Sequence, residues 1–401
     1  MTENTINWHD EAIKHTSFAV QTRCDIHQNP ELGFCETRTA AIITDELNRL
    51  GIETQTAVGG TGVLGRLQGQ STAGTGRHIV LRVDMDALPV QEKSDHDYVS
   101  QVDGVMHACG HDGHVAIGLT VARLLSQYRE MLPGTVSFLF QPAEEGVTGA
   151  KGAPAVIKAG VFNTETPDLI LGVHLWNYMP LGWVAVTPGP LMASIDFFKI
   201  TLRGKGGHAA APHENTDPVV AACELVTAIQ SVVSRNIDPV DAAVVSVTML
   251  KAGESPNVTP DEVAIGGTIR ALDPETREKV IERVIKLSSG IGRSYGCGFD
   301  YQLYGSNPAV VNDSAIAERI AAAAQQNFTD WQVDTDYRTT VSEDFACYLD
   351  HVPGCFILVG SANPQKGLTE AHHSPFFDFD EMAMPRAAAL LCAAIMDQMT
   401  A

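Results

Sequence analysis

Basic residues are scarce in this chain. Lys and Arg total 27 against 48 Asp and Glu, a formal net charge of -21 at pH 7. Such a surface repels nucleic acid and anionic membranes, so neither is expected as a partner. The first ten residues are polar and lack the basic start and apolar run of a signal peptide, and no later apolar run approaches a membrane span. A cytoplasmic protein is the expectation. The eight cysteines follow no framework spacing in a chain too long to need disulfide staples. Seven read as reduced structural residues, and Cys109 stands apart because of its neighbours. No repeat of fixed period and no low-complexity stretch interrupts the chain.

What the chain does have is enough length and apolar content for two cores. It is 401 residues long, 44% hydrophobic and 19% charged, which describes a globular protein of more than one ordinary domain. Helical periodicity covers 8–28 and 36–50, short β-type runs lie at 62–67 and 78–83, and a helix is predicted over 115–128. A strand at 135–140, a helix near 150–160 and a strand at 169–173 complete an alternation that argues an α/β fold, a mixed and largely parallel sheet sandwiched by helices. From about 194 the order becomes β-α-β-β-α-β, the split ferredoxin-like unit. Helix and strand patterns of the first kind resume near 314, so residues 1–193 and 305–401 are expected to form a discontinuous catalytic domain, and 194–304 an inserted ferredoxin-like α+β domain.

The densest chemistry lies in Met106-His107-Ala108-Cys109-Gly110-His111-Asp112-Gly113-His114. Three imidazoles, a thiol and a carboxylate in so short a stretch suit a transition metal. Elsewhere donors cluster just past strand ends, where open α/β sheets gather functional groups. The strand at 135–140 runs into Gln141-Pro142-Ala143-Glu144-Glu145-Gly146. Adjacent side chains there point apart, so one Glu can ligate while the other acts as a general base, although a solvated acidic loop has the same sequence. His174 follows the strand at 169–173, and a core or hinge histidine is its plainer reading. Ala371-His372-His373-Ser374-Pro375 precedes the last helix. In the insert, Gly204-Lys205-Gly206-Gly207-His208 lacks the Walker spacing; its glycines would let His208 reach a developing oxyanion, or form a plain flexible loop. Arg270 suits a substrate carboxylate or a surface ion pair, and Asn257 lies across the same expected hairpin.

Taken in order, eight segments resemble the aminoacylase/carboxypeptidase family of metallo-amidohydrolases over essentially the whole chain. They are 27–34, 81–89, 106–114, 141–146, 204–208, 267–270, 342–345 and 373–375. The branch that includes hippurate hydrolases, N-acyl-amino-acid amidohydrolases and auxin-conjugate hydrolases is the most similar. The resemblance implies Cys109, His111, Glu145, His174 and His373 as metal ligands, Glu144 as general acid/base and Asp86 as the supporting aspartate. It implies one or two divalent ions, with Zn, Mn, Ni and Co all open, and a thiolate at Cys109 able to bridge two. His208 matches the histidine that dimeric relatives lend to the partner subunit, and Asn257 and Arg270 match residues that grip the amino-acid carboxylate. Other branches carry His-x-Asp where this chain has Asp84-Met85-Asp86, so Asp84 is not counted as a ligand. His107, His114 and His372 fall outside the ligand pattern.

The implied protein is an amidohydrolase cleaving N-acyl or N-aroyl amino acids to a carboxylic acid and a free amino acid. A dipeptidase or carboxypeptidase of the same fold, or a metal-binding scaffold without catalysis, are the alternatives. Leu175, Met192 and Phe345 are expected around the acyl group, and the insert is expected to act as a lid and to form a homodimer, or a tetramer, through an edge strand near 243–249.

Overall fold

A computed structural model of the chain describes residues 6–74, 76–146, 149–163 and 165–400. It divides into two compact units, one of Met1–Gly189, Val311–Tyr337 and Cys347–Ala401, the other of Pro190–Val310 and Arg338–Ala346. The short segment Arg338–Ala346, expected with the first unit, belongs to the second. Its backbone explains why: Thr339 bridges to Met192, and the Thr340 carbonyl accepts from Arg270 Nη1 at 2.8 Å.

The first unit is built on an eight-stranded mixed sheet. Its strand order is Glu53–Val58, Gly62–Gln68, Thr135–Gln141, His78–Asp84, Leu169–Pro180, Gly354–Ala362, Trp183–Ala185 and Gln332–Asp334. The four central strands run parallel. They are predominantly apolar because helices cover both faces, and every residue of His78–Asp84, Thr135–Gln141 and Gly354–Ala362 is buried. Three departures from the sequence pattern bear on the site. The helix after the cluster begins at His111, not Val115, and runs to Gln127. The strand expected to stop at Val173 continues through His174 to Pro180, so His174 lies within a strand. The single helix expected over 8–28 is two, Trp8–Ile13 and Thr16–Gln28, and the Thr16 hydroxyl donates to the Ile13 carbonyl at the break.

The second unit carries a four-stranded antiparallel sheet in the order Ala243–Ala252, Glu262–Ala271, Ile195–Arg203, Gly298–Asn307. With the helices Pro218–Asn236 and Pro274–Ser294 this is the ferredoxin-like arrangement. Asp217 and Asp273 cap the two helices through Val219 N and Thr276 N, each followed by Pro at the first helical position, where its missing N–H costs nothing. Among the described residues Pro218–Asn236 is the one helix long and apolar enough to cross a membrane by length and composition alone. Its apolarity has a local use, since Ala221, Ala222, Leu225, Ile229 and Val232 pack into the core of the unit.

Phe138 on a central strand of the first unit is 1% exposed. We expect Phe138→Ala to lower the urea midpoint of the first unit by an amount equivalent to about 3–5 kcal/mol, the range for emptying an aromatic site in a packed core.

Candidate metal centre

The site grows from the carboxyl end of His78–Asp84. Asp86, just beyond it, is 1% exposed, and its carboxylate serves three partners. Oδ1 accepts from Glu144 N at 3.0 Å and lies 3.2 Å from His111 Nδ1, while Oδ2 accepts from Glu145 N at 3.0 Å. One side chain thus fixes both the turn that carries the two glutamates and the first residue of the helix His111–Gln127. With Nδ1–H committed to Asp86, Nε2 is the nitrogen an ion would take; burial opposes charge on the ring, but Asp84 and Cys109 outweigh it and raise its pKa well above the usual imidazole range, so an ion would displace the Nε2 proton. That Nε2 is buried with no hydrogen-bond partner.

His174 is prepared in the same way. Its Nδ1 donates to the Leu175 carbonyl at 2.6 Å, and Nε2 lies 3.5 Å from Cys109 Sγ. Gly110, between Cys109 and His111, has φ +87°, a left-handed conformation that glycine adopts without strain and that turns the chain into the helix. Of the four non-glycine residues with positive φ among the described residues, two lie at the site, Ala143 at 51° before the glutamates and His373 at 67°. Such strain persists only where surroundings enforce it. For His373 the enforcing contact is its own N–H on the Ala108 carbonyl at 2.8 Å, which ties this loop to the cluster. For Ala143 it is Glu36 Oε1, which accepts its N–H at 2.9 Å. Gly152 passes so close that a Cβ there would lie 1.6 Å from the Pro142 carbonyl oxygen.

His373 Nε2 is 3.4 Å from Glu145 Oε1, which is 4.0 Å from His111 Nε2. The donors fall into overlapping sets with ligand atoms mutually within 4.8 Å: Cys109, His111 and His174; Cys109, Glu145 and His373; His111, Glu144 and Glu145. Cys109 belongs to two of these. Divalent ions fit this geometry, because His111 Nε2 and Glu145 Oε1 are buried without a well-aligned hydrogen bond, the latter facing the His373 ring at 3.4 Å, and because sulfur with imidazole nitrogens is a transition-metal donor set. Burial pushes the Cys109 thiol well up, with Glu145 adding to the effect, so the thiolate needs a cation beside it. Burial holds His174 well below the usual imidazole range, in the neutral form that ligates. Burial opposes charge on Glu145, but the His373 hydrogen bond and the His111 charge outweigh it and lower its pKa.

The other sequence candidates fall in different places. Asp84 is fully engaged: Oδ1 takes His114 Nδ1 at 2.5 Å and Oδ2 takes Arg82 Nη1 at 2.7 Å. His114 Nε2 accepts from Leu175 N at 2.8 Å and His372 Nε2 from Asn177 N at 3.1 Å, so both rings serve as braces. Arg82 is wholly buried and also donates through Nε to Gln141 at 2.8 Å; it lies in the segment 81–89, but no role is expected for it from the sequence. Leu175, Met192 and Phe345, expected around the acyl group, are 0%, 1% and 0% exposed and belong to the packed interior instead. In the second unit, His208 pairs with Val258 in a two-residue ribbon, and the Asn257 carbonyl accepts from Ala209 N at 3.1 Å, so His208 and Asn257 are neighbours. Arg270 lies on Glu262–Ala271 and is half-buried.

Asp86→Ala removes all three bonds of the clamp. We expect the variant to fold but to bind Zn about 10- to 100-fold more weakly in a chelator competition, the usual cost of losing the outer partner of a ligating histidine.

Comparison with known proteins agrees with this geometry. Residues 80–397 match the model of peptidase family M20/M25/M40. The chain is 39% identical over 370 residues to the N-acetylcysteine deacetylase of Bacillus subtilis, covering 92% of this chain and 93% of the relative. It is 38% identical over 364 residues to thermostable carboxypeptidase 2 of Saccharolobus solfataricus, covering 90% of each. The Bacillus subtilis YXEP protein, whose crystal structure is that of a dinuclear metal binding peptidase from the M20 family, superposes with a TM-score of 0.84 at 34% identity, covering 97% of this chain and all of that one. The chain belongs to peptidase family M20/M25/M40, and it is a metal-dependent hydrolase of amide bonds.

Proposed function

We propose that this enzyme hydrolyses N-acyl or N-aroyl amino acids, compounds of the hippurate type, to a carboxylic acid and a free amino acid. One observation carries the reading: the Glu144 carboxylate shares a donor set with His111 and Glu145, while its backbone is held by Asp86. Cys109, His111, Glu145, His174 and His373 would hold up to two divalent ions, with Cys109 common to both sets. A thiolate in the set favours borderline ions such as Zn, Ni or Co over Mg and Ca, while Mn, a harder ion, would rely on the imidazoles and the carboxylate. When bound, such ions polarise the amide oxygen and make a water acidic enough to ionise near neutral pH.

Glu144 takes the proton of that water on its carboxylate and returns it to the leaving amine nitrogen, so one residue serves both steps. His208 accepts Ala210 N–H on Nδ1 at 3.0 Å, which keeps the proton of its neutral ring on Nε2 as a donor for the oxyanion. Arg270 has further N–H groups besides the one on Thr340, and with Asn257 it would take the amino-acid carboxylate. The relative named for N-acetylcysteine deacetylation supports an acylated amino acid as substrate. The carboxypeptidase relative supports a second reading, a dipeptidase or carboxypeptidase activity at the same site.

A homodimer completes the proposal. The strand Ala243–Ala252 is at one end of its sheet, pairs with Glu262–Ala271, and exposes Val244 and Leu250, features suited to pairing across a two-fold axis. In that dimer the second unit is the lid, and His208 serves the partner's ions. A cytoplasmic setting fits cysteines that are all free.

Glu144→Ala should keep its metal, measured by elemental analysis, while turnover of N-acetyl and N-benzoyl amino acids falls about 10²- to 10⁴-fold. Turnover by the wild type should vanish with chelator and return with added ion; an enzyme indifferent to both treatments would refute the assignment. A second experiment addresses the dimer. His208→Ala and Glu144→Ala proteins, each inactive alone, should regain activity when mixed and allowed to exchange subunits, because each hybrid dimer then contains one intact site. No recovery in demonstrated hybrids would confine His208 to its own subunit.

A further inference from the structure

A second group of metal-binding side chains lies outside the set around Cys109. His27, on Thr16–Gln28, is wholly buried, and its Nδ1 is 2.7 Å from Asp112 Oδ2. Asp112 is fixed in turn by Arg23 Nε at 2.9 Å, and Arg23 is further matched by Asp378 at 2.7 Å. With Nδ1 committed to a carboxylate, Nε2 faces the other way. This is the arrangement that orients a ligating histidine.

His27 Nε2 makes a 3.3 Å hydrogen bond to Glu92 Oε1, which an ion between them would replace, and the same oxygen is 3.1 Å from His96 Nε2. Both neighbours are held from behind. Glu92 Oε2 accepts Ser100 N–H at 2.7 Å, and the His96 ring stacks on Tyr98 with centroids 3.8 Å apart. The three ligand atoms are mutually within 4.8 Å. Metal–ligand bonds of about 2.0–2.2 Å put adjacent donors about 3.3–3.6 Å apart in a tetrahedron and about 2.8–3.1 Å apart in an octahedron. The two observed separations fall at these edge lengths.

Two imidazoles point the same way. Both ring nitrogens of His96 are buried without hydrogen-bond geometry to any partner. His107 is 1% exposed, has neither nitrogen bonded, and its ring is 6.3 Å from that of His27. Buried polar atoms are rarely left in this state unless an ion or ordered water completes them.

We propose that His27, Glu92 and His96 form a separate site for one divalent transition-metal cation, with two imidazoles and one carboxylate as ligands and His107 as the nearest further imidazole. The set matches Zn, Co, Ni or Fe and contains no thiol, unlike the donors around Cys109. The ion fastens the segment that carries Glu92 and His96 to Thr16–Gln28, and through Asp112 to the helix that begins at His111.

The absence of sulfur makes the two centres separable with Co²⁺. Thiolate-to-cobalt charge transfer absorbs in the near ultraviolet and reports the Cys109 set, whereas the site at His27 binds cobalt without that band. The full-length protein is stripped with chelator, titrated with Co²⁺, and analysed for bound cobalt after gel filtration, in the wild type, in Glu92→Gln and in His96→Phe, which keeps the ring on Tyr98. Each variant should hold one equivalent less than the wild type with the near-ultraviolet band unchanged. Equal stoichiometry in wild type and both variants overturns the site. So does a missing equivalent that takes the thiolate band with it, since the lost ion would then be one held by Cys109.

Discussion

The carboxylate of Asp86 is the contact on which the rest of the site depends. It accepts from the backbone of both Glu144 and Glu145 and orients His111, so three chain segments far apart in sequence meet on two oxygens. The loop of Glu144 and Glu145 follows the strand Thr135–Gln141, while His111 begins a helix that packs on the neighbouring strand His78–Asp84. A helix start and a strand end drift independently unless something ties them. A buried carboxylate accepting three N–H groups does this at little cost, because each donor would otherwise be buried unpaired.

The same device recurs through the buried histidines. His111 has Asp86, His174 has the Leu175 carbonyl, His114 has Asp84, and His27 has Asp112. In each case Nδ1 is committed to an oxygen and Nε2 is presented elsewhere. What Nε2 meets then separates the roles. For His114 it meets the Leu175 N–H and the ring is a brace, whereas for His111 it meets no partner and the ring is available to an ion. Burial works in the same direction by keeping His174 neutral.

Much of this was legible in the sequence, though unevenly. The donor-rich stretch at 106–114, the Glu-Glu pair past an apolar strand, and the β-α-β-β-α-β order all announce themselves because they rest on local composition and period. The limits of elements were harder. His174 lies inside a strand that continues to Pro180, since a parallel neighbour, Gly354–Ala362, pairs with it well beyond the apolar run. Arg82 could not be found at all. A charged residue on a fully buried strand is explained only by Asp84 and Gln141, whose positions depend on the sheet. Leu175 read as a pocket residue and proved to be packing, because Gly113 leaves it room against the helix.

By itself, then, the sequence determined which atoms were on offer: the thiol, the imidazoles and the carboxylates, and the alternation of strands and helices that carries them. Only the tertiary structure decided which nitrogen of each imidazole faces a neighbour, which carboxylates are consumed by Arg82 and Arg23, and which lone pairs are left over. The physical reason is that a histidine's availability is set by the partner of its other nitrogen. Those partners lie 25 residues from His111, 30 from His114 and 85 from His27, distances that only folding closes.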